Sequence, residues 1–292
     1  MPAMSTLRMF GPPLPAALQG WLPLAYGLAA LYVPTVVELA STIWQAEEHV
    51  HGAIVLVVTL WLFWQSRQRW LAADTPPRPV AGFALAAFGL VLYVLGRSQD
   101  ILVFEIGSLI PVLAGALLAM RGTGALRGTW FPLVYIVFMI PLPGILVDAA
   151  TGPLKQWISV IAESLLYHAG YPVARTGVML TVGQYQLMVA DACSGLHSMF
   201  SLSALGLLFM YLMRRSSWLH NGIMLASILP IAFVANILRV LVLVLVTYYL
   251  GDEAGQGFLH GTAGILLLVI ALMCLFGLDE VLGKLIPERS RP

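Results

Sequence analysis

Long apolar runs set the pattern of this chain. They are continuous, with none of the strict alternation of a strand, so each predicts a helix. Eight runs stand out, at about 17–37, 51–66, 80–97, 101–120, 128–146, 193–213, 219–249 and 258–281. Each approaches the ~20 residues that a hydrocarbon core of ~30 Å demands, though the second is short and the seventh long. The expected fold is an all-α polytopic membrane protein of about eight transmembrane helices, forming one domain over 1–292. The first run, from near Ala16, reads as a retained anchor and not as a cleavable leader.

One connection is long, about 147–192, and reads as a small cap. Leu154, Trp157, Ile158, Ile161 and Leu165 recur at helical spacing, with Lys155, Gln156, Ser159 and Glu163 on other faces. That pattern predicts a helix lying in the membrane surface. Gly170-Tyr171-Pro172 ends it. The stretches 178–182 and 185–189 flank Gly183-Gln184, which predicts a two-stranded hairpin. Tyr32-Val33-Pro34 and Pro141-Leu142-Pro143 mark kinks or span ends.

Composition sharpens the picture. Sixty per cent of residues are hydrophobic and ten per cent charged, against roughly 25% charged in a soluble domain. A net charge of +1 makes nucleic acid an unsuitable partner. Two cysteines make neither a disulfide framework nor a four-ligand zinc site, so no metal and no cofactor is expected. Lysine and arginine set the orientation. With the N-terminus inside, eleven of them (Arg8, Arg67, Arg69, Arg78, Arg121, Arg127, Arg214, Arg215, Lys284, Arg289, Arg291) fall inside and three (Arg97, Lys155, Arg175) outside. Both termini are then cytoplasmic, and the cap and the start of the sixth span face outward.

Polar residues inside apolar runs are the candidate chemistry. Cys193-Ser194-Gly195 opens the sixth run, where a helix N-terminus favours a thiolate. Arg239 interrupts the seventh, with Asn236 one turn before it, and His260 lies near the start of the eighth. Counted from their inner ends, Cys193, Arg239 and His260 each lie about 20 residues, roughly 30 Å, up the helix. That depth permits a shared site at the outer edge. A thiolate could attack a carbonyl, and a histidine could serve as base and then protonate the leaving amine. Arg239, which cannot act as a base, would steady the oxyanion, with the Ser194 and Gly195 backbone N–H groups as further donors. A buried charge in a span is expensive and tends to be functional. Asn236 reads as a support for Arg239 or a bond to a neighbouring helix.

Rivals exist for each role. His197 shares a helix face with Cys193 and competes with His260 as the base. Cys274 lies roughly 21 Å deeper than His260 and reads as packing. Glu47, Glu48, His49 and His51 read as a solvated loop in preference to a metal cluster. Two readings without catalysis remain: a membrane component of polysaccharide export or assembly, and a transporter binding an anion at Arg239. No internal repeat supports the transporter.

Ala192-Cys193-Ser194-Gly195-Leu196, Asn236-Ile237-Leu238-Arg239-Val240 and His260-Gly261-Thr262-Ala263-Gly264, in this order, resemble the exosortase/archaeosortase family over about residues 20–280. The resemblance implies a membrane-embedded cysteine transpeptidase with Cys193 as nucleophile, Arg239 as stabiliser and His260 as acid/base. His197 stands where many relatives carry Arg or Asn, which keeps it as a rival. The implied substrates are secreted proteins anchored in the bacterial inner membrane by a C-terminal sorting signal: a Pro-Glu-Pro motif, a transmembrane helix and a basic tail. The implied site is periplasmic. Neither the acceptor nucleophile nor the oligomeric state is implied.

Overall fold

A computed structural model describes residues 20–45, 51–72, 75–141, 144–188, 195–213, 215, 217–261 and 263–286, with the backbone alone at 144–151, 195–199, 258–261, 263 and 265. The chain forms two compact units, one from residues 1–43 and 58–134, the other from 44–57 and 135–292. Among the described residues five helices are long and apolar enough to cross a membrane: Leu22–Gln45, Pro79–Ser98, Leu102–Gly128, Trp218–Leu250 and Leu266–Leu285. They bear out a helical membrane protein. The count of eight spans is not reached. The remaining three expected spans correspond to shorter apolar helices, at His51–Gln65, Trp130–Met139 and Phe200–Met213. The first of these is 15 residues, about 22 Å at 1.5 Å per residue. The second is broken where Ile140 turns extended before Pro141.

In the first unit α1 (Leu22–Ser41), with Pro34 inside it, packs with α4 (Pro79–Ser98), α5 (Leu102–Gly107) and α6 (Leu109–Gly128). Between α1 and α4 in the chain come α2 (His51–Gln65), which begins in the second unit, and α3 (Arg67–Leu71). Apolar side chains gain little by meeting each other in lipid, so close backbone approach has to hold such helices together. Gly82, Gly89 and Gly96 lie two turns apart on one buried face of α4. They meet Ala119, Val112 and Glu105, which step back along α5 and α6 at the same interval. A Cβ on Gly96 would lie 2.3 Å from the Glu105 backbone N. α6 itself breaks at Gly122, at φ +69°. There Thr75 Oγ1 donates to the Arg121 carbonyl at 2.8 Å and accepts from Gly124 N at 2.9 Å.

This close seam carries a buried carboxylate. Glu105 accepts from Thr35 Oγ1 at 2.6 Å and pairs with Arg97 at 3.2 Å. Arg97 also pairs with Glu38, and Tyr32 OH lies 2.7 Å from Ser108 Oγ. These bonds stitch α1 to α4, α5 and α6 and leave Glu105 compensated, the condition on which an ionised group survives burial.

In the second unit α7 (Trp130–Tyr135), which begins in the first, runs into a 3₁₀ turn at Ile136–Met139. α8 (Gly144–His168) follows, with Pro153 inside it. Three antiparallel strands, β1 (Val173–Thr176), β2 (Met179–Val182) and β3 (Tyr185–Met188), form a meander in that order. Val173 pairs with Val182, and Met179 with Met188. The expected hairpin is β2–β3. The strand β1 was not foreseen, because four residues between turns carry little alternation. Arg175 Nε donates to Glu163 Oε2 at 3.0 Å and ties β1 to α8.

The cap helix also faces differently from the expected pattern. Ile158, Ser159, Ala162 and Leu166 are buried, whereas Trp157 and Leu165 are exposed. Ser159 is admitted because its hydroxyl donates to the Lys155 carbonyl at 2.8 Å.

Four helices complete the second unit: α9 (Gly195–Met213), α10 (Trp218–Leu250), α11 (Asp252–Gly261) and α12 (Ala263–Leu285). Ser217 caps α10 by accepting from His220 N, and Gly251 at φ +91° separates α10 from α11. The expected single span 258–281 is divided between α11 and α12. Near the first turn of α10, Arg215 Nη2 donates to Asp279 Oδ2 at 2.7 Å, and His220 Nε2 lies 2.8 Å from Asp279 Oδ1. His220 and Asp279 are buried, so this clamp pins α12 to α10.

Two measurements test these contacts by thermal unfolding in detergent. Gly96→Leu overpacks the seam and is expected to cost about 1–3 kcal/mol, lowering Tm by several degrees. Asp279→Ala leaves buried His220 without its acceptor and is expected to cost about 1–3 kcal/mol. Lys284→Ala, which removes an exposed pair with Glu280 in the same helix, should leave Tm unchanged.

Candidate active site

α10 runs for 33 residues, and its interior is almost wholly apolar. Arg239 and Asn236 are exceptions, and both are buried, at 5% and 0% exposure. They lie one turn apart on the same face. Neither the amide nitrogen nor the oxygen of Asn236 has a hydrogen-bond partner among the described residues.

The packing around them changes along the helix. On the N-terminal side of Asn236, Ala232 and Ala235 pack with Leu202 of α9 and with Leu267 and Ala271 of α12. On the C-terminal side, Ile237, Val240, Leu243 and Val244 pack with Ile158, Ala162 and Leu166 of α8 and with Leu180 and Val182 of β2. Asn236 and Arg239 thus sit where the membrane cluster gives way to the cap cluster. Small side chains at 232 and 235 keep α9 and α12 close, and the cap closes over the turns above.

The other predicted residues are located by their elements. Cys193 and Ser194 lie outside the described residues. Gly195 is the first residue of α9, and His197 lies in its first turn. His260 is the last residue but one of α11. The side chains of both histidines lie outside the described residues.

Register relates these positions to Arg239. Gly206 of α9 meets Ile228 of α10. Eleven residues back along α9 is Gly195, and eleven forward along α10 is Arg239. His220 of α10 meets Asp279 of α12. Nineteen residues forward from His220 is again Arg239, and nineteen back from Asp279 is His260. Antiparallel helices with the same rise keep level pairs level. The Gly206–Ile228 contact therefore brings position 195 to the level of Arg239, whereas His260 lies in α11, before α12 begins, and α11 meets α10 where Gly255 faces Thr247.

The seventh expected helix, α10, ends within one residue of the expected run to 249. α10 continues eleven residues past Arg239 to Leu250, about 16 Å. Arg239 therefore lies well inside the helix and is buried, where a fixed charge acts more strongly than in water.

Sequence reasoning missed the clamp at His220. Asp279 follows an apolar run within the same helix, and that was the available signal. Cys274 is exposed and is not the packing residue expected. Among the described residues no group of His, Cys, Asp and Glu is placed to hold a metal. Glu47, Glu48 and His49 lie outside the described residues, and His51 begins α2.

No curated protein and no solved structure matches the chain. The family model for the transmembrane exosortase matches residues 43–277, which include Asn236, Arg239, His260 and all the elements that frame them. The chain belongs to the transmembrane exosortase family.

Proposed function

We propose that this exosortase is a cysteine transpeptidase that processes C-terminal sorting signals of secreted proteins. The observation that carries the reading is the register of α9 on α10: position 195 counts to the level of a buried arginine, and Cys193 lies two residues before position 195. Family membership and the three short motifs support the same assignment.

The chemistry follows from the residue types. The Cys193 thiolate attacks the scissile carbonyl carbon, forming a C–S bond. Arg239 and the backbone N–H groups at the start of α9 stabilise the oxyanion. The C–N bond breaks, and the imidazolium of His260 gives its proton to the departing amine. An acceptor amine or water then attacks the thioester, the base takes its proton, and the thiolate is released. Thiol chemistry of this kind needs no cofactor.

Lysine and arginine asymmetry supports cytoplasmic termini and a site on the periplasmic side of a bacterial inner membrane, with the whole chain acting as one domain. A substrate with a Pro-Glu-Pro motif, a transmembrane helix and a basic tail would then offer its motif at the rim beneath the cap. Arginine pairs well with carboxylate, so the motif's glutamate is a second partner for Arg239.

The test is processing of a co-expressed tagged substrate. Cys193→Ala should abolish cleavage at unchanged protein abundance. Arg239→Lys keeps the charge and loses the planar fork, and should slow cleavage by about 10²–10³, the range for a lost oxyanion donor. Exposed Cys274 is first replaced by serine, so that a covalent adduct reports on Cys193 alone. Processing that persists in Cys193→Ala would transfer the weight to a non-enzymatic part in polysaccharide export or assembly.

A further inference from the structure

Asn236 poses a problem that the proposed chemistry leaves unsolved. It is completely buried, and both polar atoms of its carboxamide lack a partner among the described residues. A buried amide without hydrogen bonds lowers stability, and an apolar residue of similar shape would serve the resting fold better. Such a residue marks a place where a ligand completes the bonding.

The functional group says which ligand. A carboxamide offers donor N–H and acceptor C=O side by side, which is the complement of a peptide group. It is a poor match for an isolated anion or cation. Asn236 is three residues inward of Arg239, about 4.5 Å along the helix axis. An extended chain advances about 3.3 Å per residue, so that step spans between one and two substrate residues. On the topology proposed above, a sorting segment enters from the rim and continues inward as its own transmembrane helix. The peptide group beside Asn236 then belongs to the departing side of the scissile bond.

We infer that Asn236 binds the substrate backbone on the leaving-group side, holding it extended while Arg239, one turn outward, faces the scissile carbonyl. This rests on the thiol mechanism above. Recognition is of main chain, and so does not depend on which side chain the substrate carries there. The contact exists while the leaving segment is present and is gone once the thioester has formed.

The experiment separates the two half-reactions in purified full-length protein, using a tagged sorting-signal substrate in single turnover. Asn236→Leu should keep or raise Tm, slow thioester formation by about tenfold to a hundredfold, as expected for losing one or two hydrogen bonds, and leave thioester breakdown within about twofold. Asn236→Asp keeps the shape, removes the donors and should slow the same step. It decides the matter if Asn236→Leu does not accumulate. Thioester formation at the wild-type rate in Asn236→Asp overturns the inference. So does a Tm that falls along with activity in Asn236→Leu, since the amide would then be bonded in the resting fold. Equal slowing of both half-reactions overturns the leaving-side placement. An inert Cys193→Ala beside a fully active Asn236→Leu sinks this inference alone, whereas an active Cys193→Ala sinks the mechanism beneath it.

Discussion

Antiparallel register between α10 and its two neighbours is the constraint on which the second unit depends. Helices in lipid have little hydrophobic reason to choose one sliding position over another. Specific contacts must choose it, and here they stand at measured intervals from Arg239. Against α9 the choice is made by Gly206, whose missing side chain admits Ile228. Against α12 it is made by Asp279, which meets His220 and Arg215 together. A slip of one turn would strand a buried histidine without its acceptor and press Ile228 into a neighbour with a side chain. Both penalties act far from Arg239, so the depth of the site is set by contacts with no part in its chemistry.

The first unit meets the same physical demand by other means. Three glycines two turns apart let backbone touch backbone, and Glu105 is buried only because Thr35 and Arg97 reach it. The same seam supplies both the steric and the electrostatic choice, since Gly96 meets Glu105 itself. Neither depends on apolar side chains recognising one another, which lipid would not reward.

What could be read from the chain divides along physical lines. Polar residues stranded in apolar runs are legible, because the cost of burying them demands a reason; Arg239 and Asn236 are of this kind. Length is legible where a run is unbroken, as in α10. The Gly82, Gly89, Gly96 interval was equally open to reading, since it repeats at a helical period. The strand β1 was not, because its pairing depends on β2 from outside its own four residues. The facing of α8 was misjudged for a related reason: Trp157 and Leu165 are as apolar as Ile158, and composition cannot say which apolar residue meets protein and which is left exposed. The division of the expected last span between α11 and α12 falls within an apolar run, where hydropathy gives no sign of a helix end.

The length of α10 carries a consequence of its own. Thirty-three residues make a rod of about 50 Å, some 20 Å longer than the hydrocarbon of an average bilayer. Its outer turns are packed against α8 and the sheet, so the surplus cannot be hidden by unwinding. Lipids with longer acyl chains would drown its upper stretch or force it to lean, and shorter ones would lift the cap clear of the headgroups. Bilayer thickness thereby sets how much of α10 stands clear of the hydrocarbon.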